Sequence, residues 1–154
     1  MSSVLRHRKA VKEDLPAIVA LLLDDELGST RESGSATLDP RYLAAFARIE
    51  ADPNQYLMVV ELNGEIAGTC HLTVMPSLTF TGSTRMQIEA VRVAAAMRGK
   101  KIGEWMMRSA LEYARAHNVR LVQLTTNKQR PRAKQFYERL GFEASHEGMK
   151  LLLD

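Results

Sequence analysis

The chain has 154 residues, 45% hydrophobic and 25% charged, which fits one globular domain (residues 1–154) with a core large enough to fold alone. No run of about 18 apolar residues occurs, which excludes a membrane span, and Met1–Arg8 lacks the apolar core of a signal peptide. The net charge of +3 suits a polyanionic ligand without implying nucleic acid, for which no binding motif is visible; Cys70, the single cysteine, allows no internal disulfide, and together these features favour the cytoplasm.

Leu5–Lys9 reads as a short first strand. Asp14 is a plausible N-cap, and Leu15, Ile18, Val19 and Leu22 follow at i, i+3, i+4 and i+7, predicting an amphipathic helix that ends near Gly28. Gly28–Leu38, rich in Gly, Ser and Thr, reads as a loop. Asp39-Pro40 opens a second helix whose apolar side is Leu43, Phe46, Ala47 and Ile49. Tyr56–Leu62 is a strand, Asn63-Gly64 a two-residue hairpin turn, and the return strand alternates Ile66, Gly68, Cys70, Leu72 and Val74 against Ala67, Thr69, His71 and Thr73. After the loop Pro76–Gly82 comes a strand over Met86–Val93, then a basic, glycine-bearing junction, Arg98-Gly99-Lys100-Lys101-Ile102-Gly103, then a helix over Glu104–His117. Val119–Thr126 is a strand and Pro131–Leu140 a helix stopped by Gly141; Phe142–Glu143 and Met149–Leu152 are expected to complete the sheet. The order β-α-α-β-β-β-α-β-α-β(-β) predicts a mixed α/β (α+β) fold, a largely antiparallel sheet with helices on both faces, and not a doubly wound nucleotide fold.

Glycines and cations at a strand-to-helix turn point backbone N–H groups at an anion, and the helix N-terminus adds partial positive charge there. The spacing is neither that of a P-loop nor G-x-G-x-x-G, which disfavours ATP and NAD. Val93-x-x-x-x-Arg98-Gly99-Lys100-Lys101-Ile102-Gly103 resembles the acyl-CoA-binding motif of the GNAT superfamily of N-acetyltransferases, R/Q-x-x-G-x-G/A between a strand and a helix. Asn127 with Ala133, Phe136, Tyr137, Leu140, Gly141 and Phe142 is similar to the family's later N…A-x-x-F-Y-x-x-x-G-F block, and the resemblance covers essentially the whole chain. The tail Ser145–Leu151 looks like that of a subgroup of small bacterial members whose substrates are largely unassigned. Lys101 stands where the motif has its first glycine, and a Cβ there calls for an ordinary negative φ.

The resemblance implies a GNAT-like fold and a single N-acetyltransferase domain that moves an acetyl group from acetyl-CoA directly to a primary amine, without a metal. Arg98, Gly99, Lys100, Lys101, Ile102, Gly103 and Glu104 are then the pyrophosphate loop, and a β-bulge splays the strand before it. Backbone groups of Val91 and Val93 would pair with the pantetheine arm, the alternative being ordinary core valines. Tyr137, otherwise a core aromatic on the face of Ala133 and Phe136, becomes the general acid; a phenol with pKa about 10 can donate to a departing thiolate. Glu89 is the candidate general base, or else an ion-pair partner of Arg85 or Arg92. Asn127 contacts the pantetheine or is only a turn residue. Lys128, Arg130 and Arg132 meet the adenosine 3′-phosphate or are solvated, and Phe136 lies at the cofactor. His7, His71, His117 and His146 fit no metal spacing, and Cys70 reads as core. The loop with Arg31 and Glu32 borders the acceptor site. A small-molecule amine is the expected acceptor; a protein or peptide amino group, or a non-catalytic acyl-CoA-binding regulatory module, are the alternatives. No nucleic-acid or membrane partner is expected. Many family members are dimers, so a homodimer stays open.

Overall fold

The alternation of apolar and polar residues between Leu5 and Val93 resolves into an antiparallel meander. The structure, a computed structural model, describes residues 4–24, 32–34 and 37–154. The chain divides into two compact units, residues 1–123 and 124–154. In the first, β1 (Leu5–Lys9), β2 (Gln55–Leu62), β3 (Glu65–Met75), β4 (Thr84–Val93) and β5 (Val119–Leu124) form one sheet in chain order. Neighbours from β1 to β4 are antiparallel. Asn63 and Gly64 turn β2 into β3 with φ of 52° and 87°, the left-handed pair that a two-residue hairpin needs.

One sheet face packs on α3 (Ile102–Ala116). Met58, Cys70, Leu72, Met86 and Ile88 are buried there with Met106, Met107 and Ala110. Tyr56 meets Tyr113 with ring centroids 4.6 Å apart, and a Cβ on Gly68 would lie 3.5 Å from Met106 Sδ. The opposite face is covered by α1 (Leu15–Leu23) and α2 (Pro40–Ala51), where Leu15, Ile18, Phe46 and Val59 form a buried cluster. Asp39 opens α2 as expected, its Oδ1 accepting from Arg41 N–H at 2.9 Å. Asp14 differs: its side chain does not cap α1. It accepts from both Arg8 terminal nitrogens, at 2.7 and 2.9 Å, and from Val11 N–H at 2.8 Å. The nearby guanidinium is the stronger partner and holds the Asp14 carboxyl below the usual carboxylate range. α1 ends at Leu23, with Asp24 as its C-cap at φ −80° and ψ 45°, short of the end near Gly28 that the sequence predicts; Gly28 and Arg31 of the loop after it lie outside the described residues.

The second unit carries α4 (Pro131–Arg139), ended by Gly141 at φ 102°. The two strands expected at Phe142–Glu143 and Met149–Leu152 are not formed. Met149, Leu151 and Leu152 are 91%, 84% and 94% exposed. Their composition favours a strand, but a strand exists only through a ladder partner, and this segment has none.

Candidate functional site

The regular sheet breaks twice, between Val60 and Glu61 of β2 and in β4 next to the basic junction. His71 pairs with Glu89 and Thr69 with Arg92, so two β4 residues, Ala90 and Val91, stand opposite Cys70 alone. This is a β-bulge, and Ala90 absorbs it at φ 55°. The family resemblance implies a bulge in this strand; its pivot at Ala90 has no signal in the sequence. Val91 and Val93 are half-buried, and the Val91 carbonyl accepts from Arg92 Nη1 at 2.9 Å.

The basic junction follows. Arg98, Gly99, Lys100 and Lys101 are exposed, while the Ile102 side chain is buried in the core. Gly99 has φ 84°, and Lys101, the N-cap of α3, has φ 58° and ψ 24°. The expectation that Lys101 keeps a negative φ is therefore overturned. Arg98 is extended, at φ −66° and ψ 150°, and the chain passes from there into the helix through left-handed residues. The lysine takes the conformation that the motif assigns to glycine. No side chain caps this helix. Its ladder starts at Trp105 N–H to Lys101 O, 3.1 Å, so the N–H groups of Ile102, Gly103 and Glu104 head the helix before it. The Glu104 carboxylate accepts from Arg108 Nη2 at 2.8 Å, one turn down the helix.

On the α1 and α2 face lies a polar strip. Cα partners Gln55–Thr73, Thr73–Gln87 and His71–Glu89 put these side chains on one face, together with Arg85 and Arg92. Gln123 of β5 accepts from Arg85 Nη1 at 3.4 Å and donates to Gln87 at 3.0 Å. Arg85 also donates to Thr79 Oγ1 at 2.6 Å. Glu89 is exposed and, among the described residues, forms no ion pair with either arginine considered for it. Sequence reasoning singled out Glu89, Arg85 and Arg92 of this strip but missed Gln55, His71, Thr73 and Gln123 as their neighbours, because the members come from four strands.

In the second unit, Asn127 Oδ1 accepts from Gln129 N–H at 2.8 Å and its carbonyl from Arg130 N–H at 2.9 Å, a turn leading into α4. Arg132 is exposed. Tyr137 is half-buried, 5.2 Å from the Phe136 ring and 6.0 Å from Phe142. Among the described residues no group of three His, Cys, Asp or Glu could hold a metal, and no helix is long and apolar enough to cross a membrane.

The Acetyltransferase (GNAT) family matches residues 18–142. This chain belongs to the GNAT family. It is an acetyltransferase that acts on an amine, and acetyl-CoA is the family's donor. The GNAT chain is 33% identical over 142 residues to the aminoalkylphosphonate N-acetyltransferase of Salmonella typhimurium, covering 92% of this chain and 86% of that protein. A crystal structure described as a transcriptional regulator from Bacillus halodurans C-125 shares 43% identity and a TM-score of 0.94, over 97% of this chain and all (100%) of the other. Glucosamine-6-phosphate N-acetyltransferase from Arabidopsis thaliana shares the fold, with a TM-score of 0.79 at 22% identity over 98% of this chain and 99% of that one.

Proposed function

We propose that this GNAT enzyme moves the acetyl group of acetyl-CoA directly to the primary amine of a small molecule. The polar strip beside the Ala90 bulge carries this reading. It offers amide, hydroxyl, imidazole and carboxylate groups within a few strands, a scale that suits a compact acceptor. The Salmonella relative, named for aminoalkylphosphonates, supports an acceptor with an anionic group, for which Arg85 and Arg92 are on the same face as Glu89.

The junction suits the donor. Arg98, Lys100 and Lys101 bring positive charge, Gly99 and Lys101 bend the backbone, and Ile102, Gly103 and Glu104 offer their N–H groups to a pyrophosphate. Backbone N–H groups of Val91 and Val93 face the pantetheine arm and polarise the thioester carbonyl. Asn127, Arg132 and Phe136 add contacts to the donor. Bound acetyl-CoA supplies an activated acyl carbon. Glu89 takes part in removing the ammonium proton, and Tyr137 gives a proton to the leaving thiolate. Both units belong to one N-acetyltransferase domain in this reading, since the family match crosses their boundary. The enzyme works in the cytoplasm, consistent with the free, buried Cys70. It works as a homodimer, whose partner copy covers the exposed apolar residues Met149, Leu151 and Leu152.

The test is thiol release from acetyl-CoA with aminoalkylphosphonates, polyamines, amino acids, aminoglycosides and peptides, with mass measured by light scattering. Turnover of a small amine is expected. Release with peptides alone would move the acceptor to protein amino groups. CoA binding without any release would make the chain a regulatory module, an outcome to which the Bacillus halodurans neighbour gives weight.

A further inference from the structure

Half-buried His71 stands on β3 opposite Glu89 of β4, and its ring is held from β2. His71 Nε2 lies 2.6 Å from Gln55 Oε1, and Thr73 Oγ1 donates to the same oxygen at 2.9 Å. The other end of that amide, Gln55 Nε2, donates to Asp52 Oδ2 at 3.2 Å. A carboxylate only accepts, so the Asp52 contact requires the amide NH₂ there and turns the carbonyl toward His71. That carbonyl cannot donate, so the contact with His71 requires a proton on Nε2. In the neutral ring this leaves Nδ1 with its lone pair.

Burial pulls the His71 pKa below its ordinary value, and the charge of Glu89 opposes that in part. The ring is then neutral at neutral pH. The charged groups about it are Glu89, Arg85 and Arg92 on β4 and Asp52 behind Gln55; Leu57 flanks it on β2, and α1 brings no charged side chain.

We propose that His71 Nδ1 is the proton acceptor for the attacking amine, with Gln55 as the positioning residue that fixes its tautomer. The inference rests on the amine-acetylation reading above. As the N–C bond forms and the C–S bond breaks, one N–H proton passes to Nδ1, directly or through one water. The thiolate takes its proton from Tyr137 or solvent. Glu89, opposite, stabilises the imidazolium so formed and passes the proton to solvent.

Two measurements test this. The first is CoA release from acetyl-CoA with 2-aminoethylphosphonate as acceptor, followed across pH. His71→Ala should lower kcat by roughly 10²-fold at nearly unchanged KM, lose the acid limb of the wild-type profile, and recover in part with added imidazole. Gln55→Ala should shift that limb. The second is the ¹⁵N spectrum of the wild-type imidazole, which should show the Nε2–H tautomer at pH 8. A His71→Ala enzyme that keeps kcat within about threefold and retains the acid limb overturns the proposal; so does an Nδ1–H tautomer. If the wild type releases no CoA with any amine, the acetylation reading fails and the catalytic role of His71 falls with it, whereas an Nδ1–H tautomer in an enzyme that does release CoA overturns the role of His71 alone.

Discussion

Replacing Lys101 with glycine should make the protein more stable and its donor site weaker. Lys101 sits at φ 58° and ψ 24°, exposed, at the head of α3. An L-residue in this left-handed region costs about 1–2 kcal/mol. Glycine removes that strain but gains freedom in the unfolded chain worth about 0.5–1 kcal/mol. The net is a stabilisation of about 0.5–1 kcal/mol, a rise of ~1–4 °C in Tm at this size. Urea unfolding should show a higher midpoint at an unchanged slope. The lost ammonium lies beside the helix N-terminus, so CoA should bind about 2–5-fold more weakly at low salt, the gap closing as salt rises. Lys101→Ala separates the effects, since it loses the charge and keeps the Cβ: affinity should fall with no gain in stability. A lower urea midpoint for Lys101→Gly would refute the reasoning, because the strain would then be absent or outweighed by contacts of the lysine itself.

Tyr137→Phe should lower kcat by roughly 10²-fold in the thiol-release assay if the phenol is the acid; an unchanged kcat removes it from that role. Asp14 is held down by Arg8, so between its folded and unfolded pKa values the folded state binds fewer protons, and stability falls as pH drops below about 4. Asp14→Asn should flatten acid unfolding in that window and remove about 1–2 kcal/mol at pH 7, discounted for the half-exposed arginine. A Cβ on Gly68 would lie 3.0 Å from the Arg92 carbonyl, a backbone atom that cannot turn aside, so Gly68→Ala should cost about 1–3 kcal/mol by urea titration. Deleting Ala90 removes the extra bulge residue, keeps every other β3–β4 pair, and should preserve folding by circular dichroism while abolishing turnover.

Much of the meander was legible because its signals are local. Leu5–Lys9 is a strand as read, Asn63-Gly64 adopts the expected left-handed turn, and Asp39 caps the helix that Pro40 begins. What escaped is set between segments. The Gln55–His71 contact joins residues 16 apart on different strands, and Asp14 serves Arg8 of β1 although its sequence position suits a cap. The tail fails in the opposite sense: Met149–Leu152 has the composition of a strand, but the ladder partner that would make it one is not a property of the segment. The basic junction stands out in the sequence by its glycines and cations, yet the φ of Lys101 follows from the path between β4 and α3, which the residue type argued against.

The bulge has a physical reason in the charges of β4. Met86 and Ile88 face α3, while Arg85, Gln87 and Glu89 face the polar strip. Strict alternation would carry Arg92 to the α3 side, into a fully buried apolar layer of Met58, Cys70 and Met106. The extra residue resets the parity, so that Arg92 pairs with Thr69 on the face of Glu89 and Val93 pairs with Gly68 on the face of Met106. Regular pairing holds on both sides, Leu72–Ile88 below and Gly68–Val93 above, so the mismatch has one place to go. Ala90 takes it, and its small side chain keeps the cost of φ 55° near that of a single strained residue, about 1–3 kcal/mol. Burying an unpaired guanidinium would cost more than that. The charge pattern of β4 thus accounts for the bulge beside which the donor arm is proposed to lie, and the same reset places Arg92, Glu89 and His71 on one face.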